Sequence, residues 1–162
     1  MANAVVDTTA LIALARLDRL DLLPRLYGRV FAPDAVYREA LVHPGRPDAR
    51  LISEAFAGGR FELVDPPAMP LRAPELAGLG PGETAAIAAA HALGAVVVLD
   101  DRRARRAAVA LRLGVIGSVG LLIKARERGL IGAAEPLVRE LQAAGFRIGP
   151  EELEAARMAD GQ

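Results

Sequence analysis

Ala95-Val96-Val97-Val98-Leu99-Asp100-Asp101-Arg102-Arg103 is the stretch of the sequence that decides the fold. Five apolar residues, three of them valine, run without interruption into two carboxylates and then into arginines. A short β-branched run is typical of a strand covered on both faces, as in a parallel sheet. The acids then lie where the strand leaves the sheet, the edge at which open α/β folds bind ligands. An aspartate before a helix is also a common N-cap, so this stretch alone leaves both interpretations open.

The composition limits the class of protein. A chain of 162 residues with 52% apolar residues is long and apolar enough for a folded core. We predict a single domain over residues 1–162, with residues 132–162 as a C-terminal helical extension. Because the chain has no cysteine, disulfides, thiol nucleophiles and thiolate metal sites are excluded. The formal net charge is zero, so a nucleic acid would have to be held by local patches of charge.

The targeting signals of secreted and membrane proteins are not visible in the sequence. The N-terminus runs directly into Val5-Val6-Asp7, with no basic segment followed by a long apolar run. No apolar segment reaches the roughly 18 residues of a membrane span. We therefore expect a soluble cytoplasmic protein without a membrane partner.

The order of strand, acid and helix also occurs near the N-terminus. Residues 3–7 form a predicted strand that ends in Asp7, and leucines at helical spacing follow Thr8. Capping of that helix would by itself explain either Asp7 or Thr8. Three more short strands are predicted at residues 30–32, 61–64 and 114–117. This alternation predicts a three-layer α/β/α sandwich with a mainly parallel, five-stranded sheet.

Several helix boundaries follow from apolar spacing and from capping residues. We predict a helix over residues 18–26 and another over residues 102–113, with Val109 and Leu113 facing inward. Ser118 is the predicted N-cap of a helix over residues 119–128. Residues 66–82, rich in proline and glycine, form a predicted loop or lid. Two C-terminal helices are expected near residues 133–144 and 151–158.

Carboxylates from separate parts of the chain are predicted to meet at one edge of the sheet. If the first and fourth strands are neighbours, Asp7 and the pair Asp100-Asp101 lie at the topological switch point. Two helices offer Glu39 and Glu83. A lone Glu39 is usually a solvated residue, and Glu83 in a first helical turn also suits the helix dipole. Together, however, these acids repel one another and lose hydration, which only a cation makes tolerable.

The chemistry of the donors indicates which cation. Oxygen ligands without cysteine or clustered histidine favour Mg²⁺ or Mn²⁺ over zinc. Such ions hold a phosphate and activate a water molecule in nucleases. Arginines at positions 102, 103, 105 and 106 follow the aspartate pair, and Arg102, Arg103 and Arg106 are predicted to contact nucleic-acid phosphates. His43 and His91 are predicted to be structural or surface residues.

These motifs resemble the PIN domain, a metal-dependent ribonuclease fold that is widespread as the toxin half of toxin–antitoxin pairs. The resemblance covers about residues 3–131. One uncharacterised PIN-like branch is similar in residues 114–122. The matching motifs are Val5-Val6-Asp7-Thr8-Thr9-Ala10-Leu11, Glu39, Gly80-Pro81-Gly82-Glu83-Thr84-Ala85 and Val98-Leu99-Asp100-Asp101-Arg102.

The resemblance implies a set of site residues. Asp7, Glu39 and an acid at position 100 or 101 would be the catalytic metal ligands, and Glu83 would support or join them. We favour Asp100 as the ligand and expect the other aspartate to cap the arginine helix. Thr8 is an auxiliary residue. Many PIN nucleases carry a further aspartate after the fifth strand, where this chain has Gly117-Ser118; Ser118 could hold a metal-bound water or only cap its helix.

The resemblance also implies RNA as the substrate, a small antitoxin protein as a partner and a homodimer, for which the apolar helices at residues 8–26 offer a surface. Two alternatives remain. The first is a catalytically inactive PIN-like protein that binds RNA or a protein partner. The second is a receiver-like protein phosphorylated on its first-strand aspartate. It is disfavoured because it needs a lysine after a later strand, whereas the only lysine, Lys124, lies in a predicted helix.

Overall fold

Five short strands form one all-parallel sheet in the order β3-β2-β1-β4-β5. They are seen in a computed structural model that describes residues 1–65 and 73–162 of the chain. The predicted five-stranded parallel sheet is confirmed, with the first and fourth strands as neighbours. The strands are β1 (Ala4–Val6), β2 (Val30–Pro33), β3 (Glu62–Val64), β4 (Val96–Val98) and β5 (Val115–Ile116).

Helices connect the strands and cover both faces of the sheet. Part of the predicted loop at residues 66–82 lies outside the described residues, and the remainder contains a short 3-10 helix at Pro74–Leu76. None of the helices in the described ranges is both long and apolar enough to cross a lipid bilayer. The α-helices are α1 (Thr8–Arg16), α2 (Leu22–Leu26), α3 (Asp34–Ala40), α4 (Pro47–Ala57), α5 (Pro81–Leu93), α6 (Arg102–Ala110), α7 (Ser118–Glu127), α8 (Glu135–Ala143) and α9 (Pro150–Asp160).

Alternation along the strands divides the core into two layers. Val6 and Val98 pack on one face against α1, α2 and α7, whereas Val5 and Val97 pack on the other against α5 and α6. Successive side chains of a strand point to opposite faces, so a continuous apolar run fills both layers. The three-layer sandwich predicted from the valine run is therefore confirmed.

The C-terminal helices pack on the same core. Val138 of α8 and Ala156 of α9 are buried within the cluster that also contains α1 and α7. The carboxylate of Asp160, at the end of α9, accepts hydrogen bonds from the N–H groups of Ala134 and Glu135 at 2.6 and 2.8 Å. These N–H groups open α8 and have no partner within that helix. Asp160 thereby ties the end of α9 to the start of α8.

Two predictions about individual helices are wrong. Helix α2 starts at Leu22 rather than at residue 18, because Asp18 takes a left-handed backbone conformation with φ of 53°. Val109 is 63% exposed rather than inward-facing, since α6 buries Ala104, Ala107 and Ala108. These three alanines lie at i, i+3 and i+4, which leaves position 109 off that face.

The apolar side chains of residues 8–26 do not form a free surface. Leu11, Leu14 and Leu22 are fully buried in the core of the chain itself. They contact neighbouring helices and the sheet instead of solvent. The apolar surface suggested for a homodimer on this segment is therefore not exposed.

Candidate active site

The site lies where the chain leaves β1 and β4, at the carboxyl edge of the sheet. Val6 pairs with Val98 in parallel register, and the Asp7 N–H donates to the Val98 carbonyl oxygen at 3.1 Å. From β1 the chain crosses to β2 on one side, while β4 lies on the other side. This is the topological switch point of the sheet, where loops diverge and leave a crevice. Asp7 and Asp100 follow the two strands that flank it.

Asp7 is a buried carboxylate in a negative environment. Only 4% of the residue is exposed, and its Oδ1 atom has no hydrogen-bond partner among residues 1–65 and 73–162. Burial raises the pKa of Asp7 from 3.8 to about 7. The Thr8 N–H opposes this rise, whereas the charges of Glu83, Glu39 and Asp100 add to it. The side chain accepts no capping hydrogen bond from α1, so helix capping does not explain this residue.

Glu39 reaches the crevice from α3. The Thr8 hydroxyl donates to Glu39 Oε2 at 2.8 Å, which links the residue after β1 to a helix 31 positions away. Gly82 in α5 makes this approach possible. A Cβ atom at position 82 would lie 2.8 Å from both carboxylate oxygens of Glu39. Sequence reasoning missed Gly82, although a glycine inside a helix is costly and signals a close approach of this kind.

Glu83 sits beside this contact, in the first turn of α5. Its Oε1 atom accepts the Gly80 N–H at 3.2 Å, while its Oε2 atom is buried and receives no hydrogen bond from the part of the chain that the structure describes. Burial raises the pKa of Glu83, the Gly80 N–H opposes the rise, and the nearby Asp101 and Glu39 charges reinforce it. Glu83 therefore caps its helix with one oxygen and turns an unsatisfied oxygen toward the other acids.

The two aspartates after β4 have different partners. Asp101 accepts the Ala104 N–H at 2.9 Å and caps α6, as predicted for one of the pair. Asp100 accepts the N–H and the hydroxyl of Ser118, at 2.7 and 2.5 Å. The prediction that Ser118 caps its helix is wrong: Gly117 is the N-cap of α7, and the buried Ser118 hydroxyl donates to Asp100 instead.

The arginines of α6 face two directions. Arg102 and Arg105 line a cavity of about 850 Å³ together with Asp100, Asp101 and Ser118. Asp7, Glu39 and Glu83 lie outside this lining, so the cavity adjoins the crevice rather than enclosing it. Arg103 and Arg106 instead line a smaller cavity of about 270 Å³ beside Glu75, and the Arg103 Nη2 atom donates to the Ala77 carbonyl oxygen at 3.4 Å. Of the three arginines predicted to bind nucleic acid, only Arg102 faces the carboxylates.

The two histidines lie apart from this chemistry. Both His43 and His91 are exposed, and neither lines the cavity of about 850 Å³. Their placement agrees with the prediction that they are structural or surface residues.

The carboxylates of this site are chemically suited to a hard divalent cation. Their present arrangement, however, does not surround one. Within residues 1–65 and 73–162, no three Asp, Glu, His or Cys side chains are already placed to hold a metal ion. Yet Asp7 Oδ1 and Glu83 Oε2 are buried carboxylate oxygens without a partner, and such atoms cost free energy unless paired. Oxygen atoms of this kind are the ligands that Mg²⁺ and Mn²⁺ prefer. A cation there would need a further carboxylate to turn toward it.

A family model for the PIN domain matches residues 3–160. The chain belongs to the PIN domain family. PIN domains are generally nucleases, and PIN nucleases typically use divalent metals. The match extends beyond the residues 3–131 covered by the motif resemblance, so α8 and α9 fall within it. No curated protein sequence matches this PIN domain.

Proposed function

We propose that this PIN domain is a Mg²⁺- or Mn²⁺-dependent endoribonuclease. The observation that carries the proposal is a pair of buried carboxylate oxygens at the switch point, Asp7 Oδ1 and Glu83 Oε2, to which no described residue donates a hydrogen bond. A folded chain tolerates such atoms when a ligand completes the site. Four acids form the proposed ligand set: Asp7, Glu39, Glu83 and Asp100.

The reaction is hydrolysis of an RNA phosphodiester. Water adds to phosphorus, one phosphorus–oxygen ester bond breaks, and the products are a phosphate monoester and a free hydroxyl. The bound cation would stabilise charge on the phosphate and increase the acidity of water. The chain orients the ligands: Thr8 holds Glu39 through its hydroxyl, and Ser118 holds Asp100 through its hydroxyl and N–H.

Arginines position the RNA in this proposal. Arg102 and Arg105 are three residues apart on one face of α6 and line the cavity that meets the crevice at Asp100. Guanidinium groups form two parallel hydrogen bonds with phosphate oxygens. Arg103 and Arg106, which face the smaller cavity, would contact only a strand that extends past the crevice.

The biological setting is part of the same proposal. By its resemblance to PIN toxins, the chain would act in the cytoplasm as the toxin of a toxin–antitoxin pair. A small antitoxin protein would restrain it, and two copies would form a homodimer. Purification of the chain from its native cells, followed by identification of any small protein that co-purifies and measurement of the mass of the complex, tests the antitoxin and the dimer together.

One observation favours a second candidate, a catalytically inactive PIN domain that binds RNA or a protein. The acids are not yet gathered around one point, and both oxygens of Asp100 accept hydrogen bonds from Ser118. In this candidate Asp100 serves α7 as a cap. Binding of RNA without cleavage in Mn²⁺ would support it.

Two glutamates that cap their helices in the same way provide a test of the metal site and its matched control. Glu83 in α5 and Glu152 in α9 both follow a Gly-Pro-x start, and each accepts the N–H of its glycine N-cap, at 3.2 and 3.1 Å. Glutamine retains this hydrogen bond and removes the charge. Only Glu83 has a second, buried oxygen beside other acids.

We therefore expect Glu83→Gln to weaken Mn²⁺ binding at least tenfold in isothermal titration calorimetry, and Glu152→Gln to leave it unchanged. Cleavage of a labelled RNA in Mn²⁺ should fall in Glu83→Gln and in Asp7→Asn. Equal Mn²⁺ binding by both glutamine variants would refute the metal site. Equal cleavage by wild type and Asp7→Asn, or no cleavage by either, would refute the nuclease.

A further inference from the structure

The large cavity beside the crevice has two walls from distant parts of the chain. One wall is the carboxyl edge of the sheet, with Asp100, Asp101 and two arginines of α6, Arg102 and Arg105. A second wall is the connector between α8 and α9, residues 145–149, all five of which line the cavity. Thus the C-terminal part of the chain and the end of β4 line the same space of about 850 Å³.

The first end of the connector is fixed by the C-terminal cap of α8. Gly145 has a φ of 97°, a conformation that side chains disfavour. The Gly145 N–H donates to the Gln142 carbonyl oxygen and the Phe146 N–H to that of Leu141, at 3.1 and 3.0 Å. This pair of bonds is the Schellman motif, which satisfies the last carbonyl groups of a helix. Phe146 and Leu141, the positions that such a motif brings into contact, both line the cavity.

The second end of the connector is held by the start of α9. Glu152 accepts the Gly149 N–H at 3.1 Å, and Pro150 opens the helix. Between the two ends, the exposed Arg147 is flanked by Phe146 and Ile148, which are half-buried and pack on the core. The connector therefore presents one cation between two apolar side chains on a fixed backbone.

The charged groups that line the cavity differ in whether they form hydrogen bonds or ion pairs with the described residues. Each of its three carboxylates accepts hydrogen bonds from the chain itself, at Asp100, Asp101 and Glu152. Its three guanidinium groups, at Arg102, Arg105 and Arg147, form no ion pair or hydrogen bond with the parts of the chain that the structure describes. The cations of both walls are thus available to an anionic ligand.

We propose that the connector at residues 145–149 is the second wall of the RNA-binding cleft, with Arg147 holding a phosphate that flanks the cleavage site and Phe146 stacking on the adjacent base. The inference rests on the proposed ribonuclease function. Guanidinium and aromatic side chains are the groups that hold the backbone and the bases of single strands. A strand lying between the walls would contact Arg102 and Arg105 on one side and Arg147 on the other.

Arg147→Gln tests the phosphate contact, with Arg50→Gln as its control. Both arginines are exposed, but Arg50 lies on α4 and does not line the cavity. Binding of a fluorescent single-stranded RNA of random sequence is measured by anisotropy at several salt concentrations, in the Asp7→Asn background to limit cleavage. We expect Arg147→Gln to weaken binding about tenfold and to reduce the slope of log affinity against log salt by about 0.7. Arg50→Gln should change neither.

Phe146→Leu tests the base contact while keeping an apolar side chain in the core. We expect about threefold to tenfold weaker RNA binding, because the aromatic face is lost, and only a small fall in the urea unfolding midpoint, because leucine keeps most of the apolar contact with the core. An RNA that contains 5-bromouridine should also crosslink, on irradiation, to the wild-type peptide that contains Phe146.

The outcomes separate this inference from the ribonuclease proposal. RNA affinity that is equal in Arg147→Gln, Phe146→Leu and Arg50→Gln overturns the second wall, even if wild type cleaves RNA. Weaker binding by Arg147→Gln and Phe146→Leu, together with no cleavage by wild type in Mn²⁺, supports the wall and overturns the nuclease.

Discussion

The Ser118 hydroxyl donates to Asp100 Oδ2 at 2.5 Å and is buried beside it. Ser118 occupies the region after the fifth strand where many PIN nucleases carry an aspartate. An aspartate at position 118 would set two carboxylates against each other. With serine, the Asp100 carboxylate is instead held by a neutral donor and by the N–H of the first residue of α7. This contact joins the ends of β4 and β5.

Ser118→Ala tests the strength of that contact. The variant loses a hydrogen bond to a charged acceptor, so we expect the free energy of unfolding to fall by about 1.5–3 kcal/mol. Urea denaturation at pH 7.5 measures the change. Ser53→Ala, at a half-buried position on α4 whose hydroxyl has no hydrogen bond to the described residues, is the control and should change stability by less than about 0.5 kcal/mol. Similar losses of unfolding free energy in both variants would show that the hydrogen bond to Asp100 does not stabilise the chain.

Gly82→Ala should separate activity from stability. Alanine favours a helix over glycine by about 1 kcal/mol, and the exposed end of Glu39 is able to move away from the new Cβ atom. We therefore expect unchanged or slightly higher stability and at least tenfold lower RNA cleavage in Mn²⁺, because Glu39 leaves the crevice. Thermal unfolding and cleavage rates measure the two effects.

Glu39→Ala provides the control for the Gly82 prediction. If Gly82→Ala acts by displacing the carboxylate of Glu39, it should have no additional effect on cleavage in the Glu39→Ala background. Additive losses in the double variant would mean that the new methyl group disturbs the site in another way.

The pKa of Asp7 predicts how stability depends on pH without metal. Burial raises this pKa from 3.8 to about 7, so between about pH 4 and pH 7 the folded chain holds a proton that the unfolded chain has lost. The free energy of unfolding therefore falls as pH rises through this window, by at most roughly 4 kcal/mol from this group. Urea denaturation in EDTA from pH 4.5 to pH 8 measures it. Asp7→Asn should flatten the curve and be more stable than wild type at pH 8; equal slopes would contradict the assignment.

Metal binding should show the opposite dependence on pH. A cation binds the ionised form of Asp7, so its affinity should increase as pH rises toward and past the pKa of about 7. We expect Mn²⁺ to raise the thermal unfolding temperature more at pH 8 than at pH 6. Asp7→Asn should show a much smaller shift at both values. A shift in wild type that does not change with pH would place the cation away from Asp7.

Local patterns were sufficient to predict the layers of the fold. An uninterrupted valine run followed by acids predicted a central parallel strand, and the structure places β4 beside β1 with side chains in both core layers. Such runs are informative because only a strand covered on both faces buries successive residues. The end of α6 was less predictable, since its inward face consists of alanines and the larger Val109 lies outside it.

Contacts between distant segments could not be predicted from local sequence patterns. The sequence favoured Asp100 over Asp101 only slightly, because both follow the same strand. Only the position of Ser118, 18 residues later, decides that Asp100 is held by α7 while Asp101 caps α6. The direction of each arginine on α6 likewise depends on which helix face the sheet covers.

The sequence by itself determined the α/β sandwich, the acids at its switch point and the absence of thiol chemistry, because these depend on periodicity and residue type. The tertiary structure alone decided that Gly82 admits Glu39, that Asp7 is buried with an oxygen that no described residue contacts by a hydrogen bond, and that the connector after α8 lines one cavity with Arg102 and Arg105. These are distances between side chains on separate elements. They depend on how the helices pack, and no local pattern encodes them.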